Sequence, residues 1–90
     1  MAIFSAKRMA GQFKNIKELG RVISYHRRRA GLSRTNLAEI AGVGPTVIYE
    51  LEHGKETVQF NIVGRILDAL NLQLSIDGPL MEAYHDDEES

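Results

Sequence analysis

The sequence predicts an all-α fold of four to five short helices with one C-terminal β-strand, and three observations carry that expectation. From Asn15 to Leu70 apolar residues recur at three- and four-residue spacing, as in helices that bury one face. Glycines at positions 31, 42 and 54 punctuate this period where a helix can end in left-handed backbone. Past Asn71 the period becomes two, with Leu72, Leu74 and Ile76 alternating with Gln73, Ser75 and Asp77 until Gly78-Pro79 ends the run.

Residues 1–14 (MAIFSAKRMAGQFK) sustain no period and are expected to be an N-terminal arm, flexible or drawn into a short strand on assembly. Asn15 followed by Glu18 is a capping-box pattern, in which the Asn side chain accepts an early backbone N–H and the Glu reaches back. A first helix therefore starts there, with Ile16, Leu19, Val22, Ile23 and His26 as one apolar stripe up to a Gly31 cap. Ser33 is a good N-cap for a second helix, RTNLAEIA, which puts Leu37, Ile40 and Ala41 on one face before Gly42 stops it. Pro45 suits the first turn of a third helix, since it gives up only an N–H that has no intrahelical partner; Ile48 and Leu51 then face inward and Gly54 caps the end. A fourth helix begins near Gln59 or Phe60 and buries Phe60, Val63, Ile66, Leu67 and Leu70. The alternating run 72–77 cannot satisfy its backbone groups alone, and its economical partner is the same strand of a second subunit. A domain over 15–78 is thus followed by an acidic tail, 79–90, that is expected to be disordered when alone.

Ninety residues support one small core, and with no cysteine there is neither a disulfide nor a thiolate metal site to reinforce it, which again favours a homodimer. The longest apolar stretches are interrupted by Arg21, Arg65 and Asp68, and the first residues lack the apolar core of a secretion signal, so no membrane association and a cytoplasmic location are expected. The net charge of −1 conceals a division: residues 1–55 carry ten Lys/Arg against four Asp/Glu (+6), and residues 56–90 carry one against eight (−7). A basic half beside an acidic one fits a nucleic-acid binder that also meets a protein partner. Enzymatic chemistry finds no support, for there is no Gly-rich phosphate loop, no cysteine nucleophile and no closely spaced pair of His ligands. No cofactor or metal is expected either. His26 lies on an apolar stripe, His53 at a helix end, and Asp86, Asp87, Glu88 and Glu89 lack the glycine-containing loop of a calcium site.

The informative stretch is RTNLAEIAGVGPTVIYELEHG, Arg34 to Gly54. Two helices crossing steeply through a tight turn need a small residue at their approach, met by Ala38, and an unhindered turn conformation, met by Gly42. Leu37, Val43, Ile48 and Leu51 lock the pair, which leaves Gly44, Pro45, Thr46, Tyr49 and Glu50 on the outer face of the third helix, the arrangement of a DNA-binding helix-turn-helix.

Those residues carry a resemblance. LSRTNLAEIAGVGPTVIYELEHGK resembles the helix-turn-helix core of the XRE family, the Cro and phage-repressor type of regulator, with a match over 19–70. The continuation GKETVQFNIVGRILDALNLQLSID is similar to HipB-like antitoxins, in which one long helix precedes a strand that pairs across the dimer. The resemblance implies a repressor-like homodimer on an inverted-repeat operator in double-stranded DNA. In the HipB-like branch it implies an antitoxin that represses its own operon and neutralises a HipA-type kinase toxin; the alternative is a stand-alone repressor with no toxin partner.

Carried over residue by residue, the resemblance implies that Arg34 and Lys55 touch phosphates and that Arg27 pairs internally with Glu52, which leaves Arg28 and Arg29 for further phosphates. Where the family often has Ser, Gln, Arg or Lys at the start of the recognition helix, this chain has Gly44, Pro45 and Thr46, with one hydrogen-bonding side chain among them. The base-contacting set is then Gly44, Pro45, Thr46, Tyr49 and Glu50, with the Thr46 methyl against thymine, the Tyr49 ring and hydroxyl, and Glu50 accepting from cytosine N4, while DNA shape and half-site spacing supply the remainder.

Overall fold

The structure, a computed structural model, describes residues 13–89 and contains five helices: α1 (Ile16–Arg29), α2 (Arg34–Ala41), α3 (Pro45–Glu52), α4 (Phe60–Ala69) and α5 (Met81–Glu89). The N-terminal arm expected over 1–14 lies almost wholly outside the described residues. Helix boundaries follow local chemistry. Asn15 Oδ1 accepts the Glu18 N–H at 3.0 Å to start α1, while Glu18 Oε1 accepts the N–H of Lys14 at 3.1 Å, one residue before the expected capping-box partner. His26, Arg27, Arg28 and Arg29 fill the last turn of α1, where the helix dipole favours positive charge. Ser33 Oγ accepts the Asn36 N–H at 3.0 Å and starts α2, and Pro45 is the first residue of α3. The three expected stops, Gly31, Gly42 and Gly54, all have positive φ.

The core takes Leu19 and Ile23 from α1, Leu37 and Ala38 from α2, Ile48 and Leu51 from α3, and Val63, Ile66 and Leu67 from α4. Full burial of a Leu, Ile or Val side chain is worth about 1.5–3 kcal/mol, so these positions dominate the stabilisation of so short a chain. α1 packs on α3, and α2 packs on both α3 and α4. The first of these contacts depends on Gly20 in the middle of α1, because a Cβ there would collide with the Leu51 carbonyl oxygen. Backbone meets backbone at that point.

Two apolar residues expected inside lie outside. Ile40 is 59% exposed, since Leu37, Ala38 and the half-buried Ala41 complete the inner face of so short a helix as α2. Phe60 is 75% exposed because it opens α4 before the helix reaches the core, and the half-buried Val58 and Ile62 pack against the core on either side of it.

α4 ends in a Schellman-type turn: Asn71 has φ 59 and the Leu72 N–H reaches back to the Leu67 carbonyl at 2.8 Å. Residues 72–77, where a strand was expected, have no regular secondary structure, and no strand occurs among the described residues of the single chain. Leu72 is half-buried, whereas Leu74 is 39% and Ile76 83% exposed. The segment expected to be disordered contains α5. Its sequence MEAYHDDEE has no Gly or Pro, Glu82 lies in the first turn, and the Tyr84 hydroxyl meets Glu88 one turn on, which raises the Tyr84 pKa. Helix formation of this kind needs no core, and residues 82–88 are all exposed. No helix among the described residues is long and apolar enough to cross a membrane.

Candidate nucleic-acid interface

The turn between α2 and α3 is built on one carbonyl: Ala38 O accepts the N–H of Gly42 at 2.8 Å and of Val43 at 3.0 Å. With Leu37, Ala38, Ile48 and Leu51 buried against each other, the opposite face of α3 is turned to solvent. Gly44, Pro45, Thr46 and Tyr49 are exposed there, and Glu50 is half-exposed. Gly44 caps α3 without a side-chain hydrogen bond, so the early N–H groups of the helix have no capping side chain from that position.

Beneath this face lies a charged network centred on Glu52, whose side chain is 1% exposed. Arg27 donates to it twice, from Nε to Oε2 at 2.6 Å and from Nη2 to Oε1 at 3.1 Å, and spends Nη1 on the Leu32 carbonyl at 2.9 Å. Arg34 Nε donates to Oε1 at 2.9 Å. Burial, the largest single influence, pushes the Glu52 carboxyl up, but the hydrogen bonds and charges of Arg27 and Arg34 together outweigh it and hold the group below the ordinary glutamate value. Every buried polar side-chain atom among the described residues has a partner.

Arg34, assigned to phosphates by the resemblance, is thus also tied to the interior, although its side chain stays 38% exposed. Its guanidinium carbon lies 5.1 Å from the centroid of the Tyr49 ring. Lys55 and Glu50, assigned to phosphate and base respectively, meet each other at 3.3 Å on the surface. Arg28 Nε donates to the Ser24 carbonyl at 3.3 Å, and the Arg29 guanidinium lies 5.8 Å from the Tyr25 ring; both arginines sit on the exposed last turn of α1. On the other side of α4, Gly64, Leu67, Asp68, Leu72, Gln73 and Leu74 line an open groove of about 320 Å³.

Sequence reasoning placed His53 at a helix end and passed over its contact with Tyr49. Its ring stacks on Tyr49 with centroids 4.0 Å apart and planes 25° apart, and its Nδ1 donates to the Tyr49 carbonyl at 2.7 Å. The available signal was the four-residue spacing of two aromatic rings at a helix end. Gly20 was also passed over; a glycine inside a clear helical pattern was its signal.

Residues 18–75 match the family described as helix-turn-helix domain. An uncharacterized HTH-type transcriptional regulator, y4mF of Sinorhizobium fredii (strain NBRC 101917 / NGR234), is 34% identical over 71 residues, which span 79% of this chain and 93% of that protein. Among solved structures, a HipB–O4 20mer complex superposes with a TM-score of 0.70 at 17% identity, covering 78% of this chain and 99% of that one. HipB from a HipA–HipB–O2–O3 complex gives 0.71 at the same identity and coverage. At that identity the likeness is one of fold.

Proposed function

The chain belongs to the helix-turn-helix family of DNA-binding transcriptional regulators, and from that premise we propose that it is a sequence-specific, homodimeric repressor of the HipB-like kind, binding an inverted-repeat operator. One observation carries this reading: α3 leaves Gly44, Pro45, Thr46 and Tyr49 uncovered on the face opposite its core contacts, with Arg34 and Lys55 partly exposed at the neighbouring helix ends. A helix of this size fits a major groove about 12 Å wide. Arg34, Lys55, Arg28 and Arg29 are then the phosphate contacts, and Thr46, Tyr49 and Glu50 the readers of base edges. Two-fold symmetry puts the half-site centres about 34 Å, or a multiple of it, apart.

The second copy pairs through residues 72–77, whose backbone has no ladder among the described residues and whose Leu74 and Ile76 are uncovered. Antiparallel pairing gives these groups partners. As an antitoxin, the protein neutralises a HipA-type kinase; a structural neighbour assembled with HipA supports this reading. The alternative is a stand-alone repressor with no toxin partner. Co-purification from the native host separates the two, by recovery or absence of a kinase-like partner.

DNA recognition is tested by fluorescence anisotropy with a duplex selected on the protein from a random library, set against a shuffled duplex. Lys55→Ala should weaken both equally and reduce the salt slope by about one unit. Lys55 suits this better than Arg34, whose removal also disturbs Glu52. Tyr49→Ala should cost about 1–3 kcal/mol of discrimination with the salt slope unchanged. Identical behaviour of the two variants refutes the docking.

A further inference from the structure

Resting on that DNA-binding reading, we infer that His53 is a positioning residue for sequence recognition: together with Arg34 it holds the Tyr49 ring in one orientation on the outer face of α3. Tyr49 is 50% exposed, and a tyrosine that exposed would ordinarily sample several rotamers. Here two neighbours restrict it, each anchored independently. His53 lies nearly parallel to the ring at 4.0 Å, and its own rotation is fixed by the 2.7 Å bond from Nδ1 to the Tyr49 carbonyl. Arg34 lies 5.1 Å from the ring centroid, and its Nε is fixed by Glu52, which Arg27 locks in the interior. The ring is therefore linked to the core by a continuous chain of charged and stacked contacts.

A side chain ordered before its ligand arrives loses less freedom on binding. That saving is largest where the ring must meet one base edge and not another, so it acts on discrimination rather than on general affinity for DNA. The start of α3 offers a single hydrogen-bonding side chain, Thr46, so Tyr49 carries much of the available readout. His53 determines specificity through Tyr49.

The experiment uses the full chain and the selected and shuffled duplexes already described, with His53→Ala, His53→Gln, His53→Phe, Tyr49→Ala and the His53→Ala/Tyr49→Ala double variant. Thermal melts followed by circular dichroism establish that each variant is folded. His53→Ala and His53→Gln should lower the selected-to-shuffled affinity ratio about two- to tenfold, the span of an aromatic pair contact, with the salt slope unchanged. His53→Phe, which keeps a stacking ring, should recover most of that ratio, and His53→Ala should add nothing once Tyr49 is alanine. Three results overturn the inference: a folded His53→Ala or His53→Gln with the parent's ratio, no recovery in His53→Phe, or a further loss in the double variant, which would mean that His53 meets DNA itself. A parent protein that enriches no sequence from the library overturns instead the DNA-binding reading beneath it.

Discussion

Arg27→Met strands a carboxylate in the interior. Methionine is apolar, flexible and long enough to fill much of the arginine stem's volume, so the change removes mainly the guanidinium. Glu52, with its side chain 1% exposed, loses two of the three hydrogen bonds it accepts from arginines and keeps the one from Arg34 at 2.9 Å. Removing one partner of a buried pair costs about 3–5 kcal/mol, chiefly because the remaining charge stays desolvated. Arg34 offsets part of this, which puts the expected loss near the lower end, about 3 kcal/mol. The Leu32 carbonyl also loses its 2.9 Å bond from Nη1.

Urea unfolding by far-UV circular dichroism, at equal protein concentration and neutral pH, should show a midpoint lower by at least about 1 M, given a slope of about 1–3 kcal/mol per molar. A midpoint coincident with the parent's refutes the reasoning. The pH dependence provides an independent check. The Glu52 carboxyl is held below its ordinary value in the folded protein, so the stability it contributes is present above the unfolded-state value and lost as pH falls through the lowered folded one. The gap between parent and variant should therefore close in acid.

Two further substitutions test other parts of the structure. Gly20→Ala drives a methyl group into the Leu51 carbonyl and should cost about 1–3 kcal/mol, read as a lower Tm, because α1 and α3 must separate to admit it. Leu74→Pro removes a ladder donor from the segment proposed to pair between copies; sedimentation should show a parent dimer become monomeric, and a variant that stays dimeric refutes the pairing.

Helix ends were legible in the sequence because capping is a local matter. Asn15, Ser33, Gly42 and Pro45 act through atoms within a few residues of themselves, and each occupies the expected cap or turn. The outer face of α3 was legible for a related reason: once Leu37, Ala38, Ile48 and Leu51 point inward, a rigid helix leaves no choice about what points outward. Spacing misled at Ile40 and Phe60, because it says which residues share a face and not how far along that face the neighbouring helix reaches. The dual attachment of Arg34 depends on the crossing of α2 and α3, which a one-dimensional pattern does not encode, and the four-residue spacing of Tyr49 and His53 gives their proximity but not the rotamers that stack them. Composition did not disclose the helix within the acidic tail 79–90, because it weighs the capacity to form a core, which a solvated helix does not require.

Glu52 bonds to two arginines, one nine-tenths buried in its side chain and one partly exposed beside the recognition helix. In an evolving lineage this shared acceptor makes the order of substitutions matter. Exchanging Arg27 and Glu52 together for apolar residues is energetically open, as it is for many buried pairs, but it leaves Arg34 without its anchor. Changing Arg34 first, for whatever benefit at the surface, removes one counter-charge from a buried carboxylate and draws on the stability of the whole domain. Positions 27, 34 and 52 are therefore epistatic, and a substitution at 34 that is costly while the core pair is intact will be tolerated in a relative whose pair has already been exchanged for apolar residues.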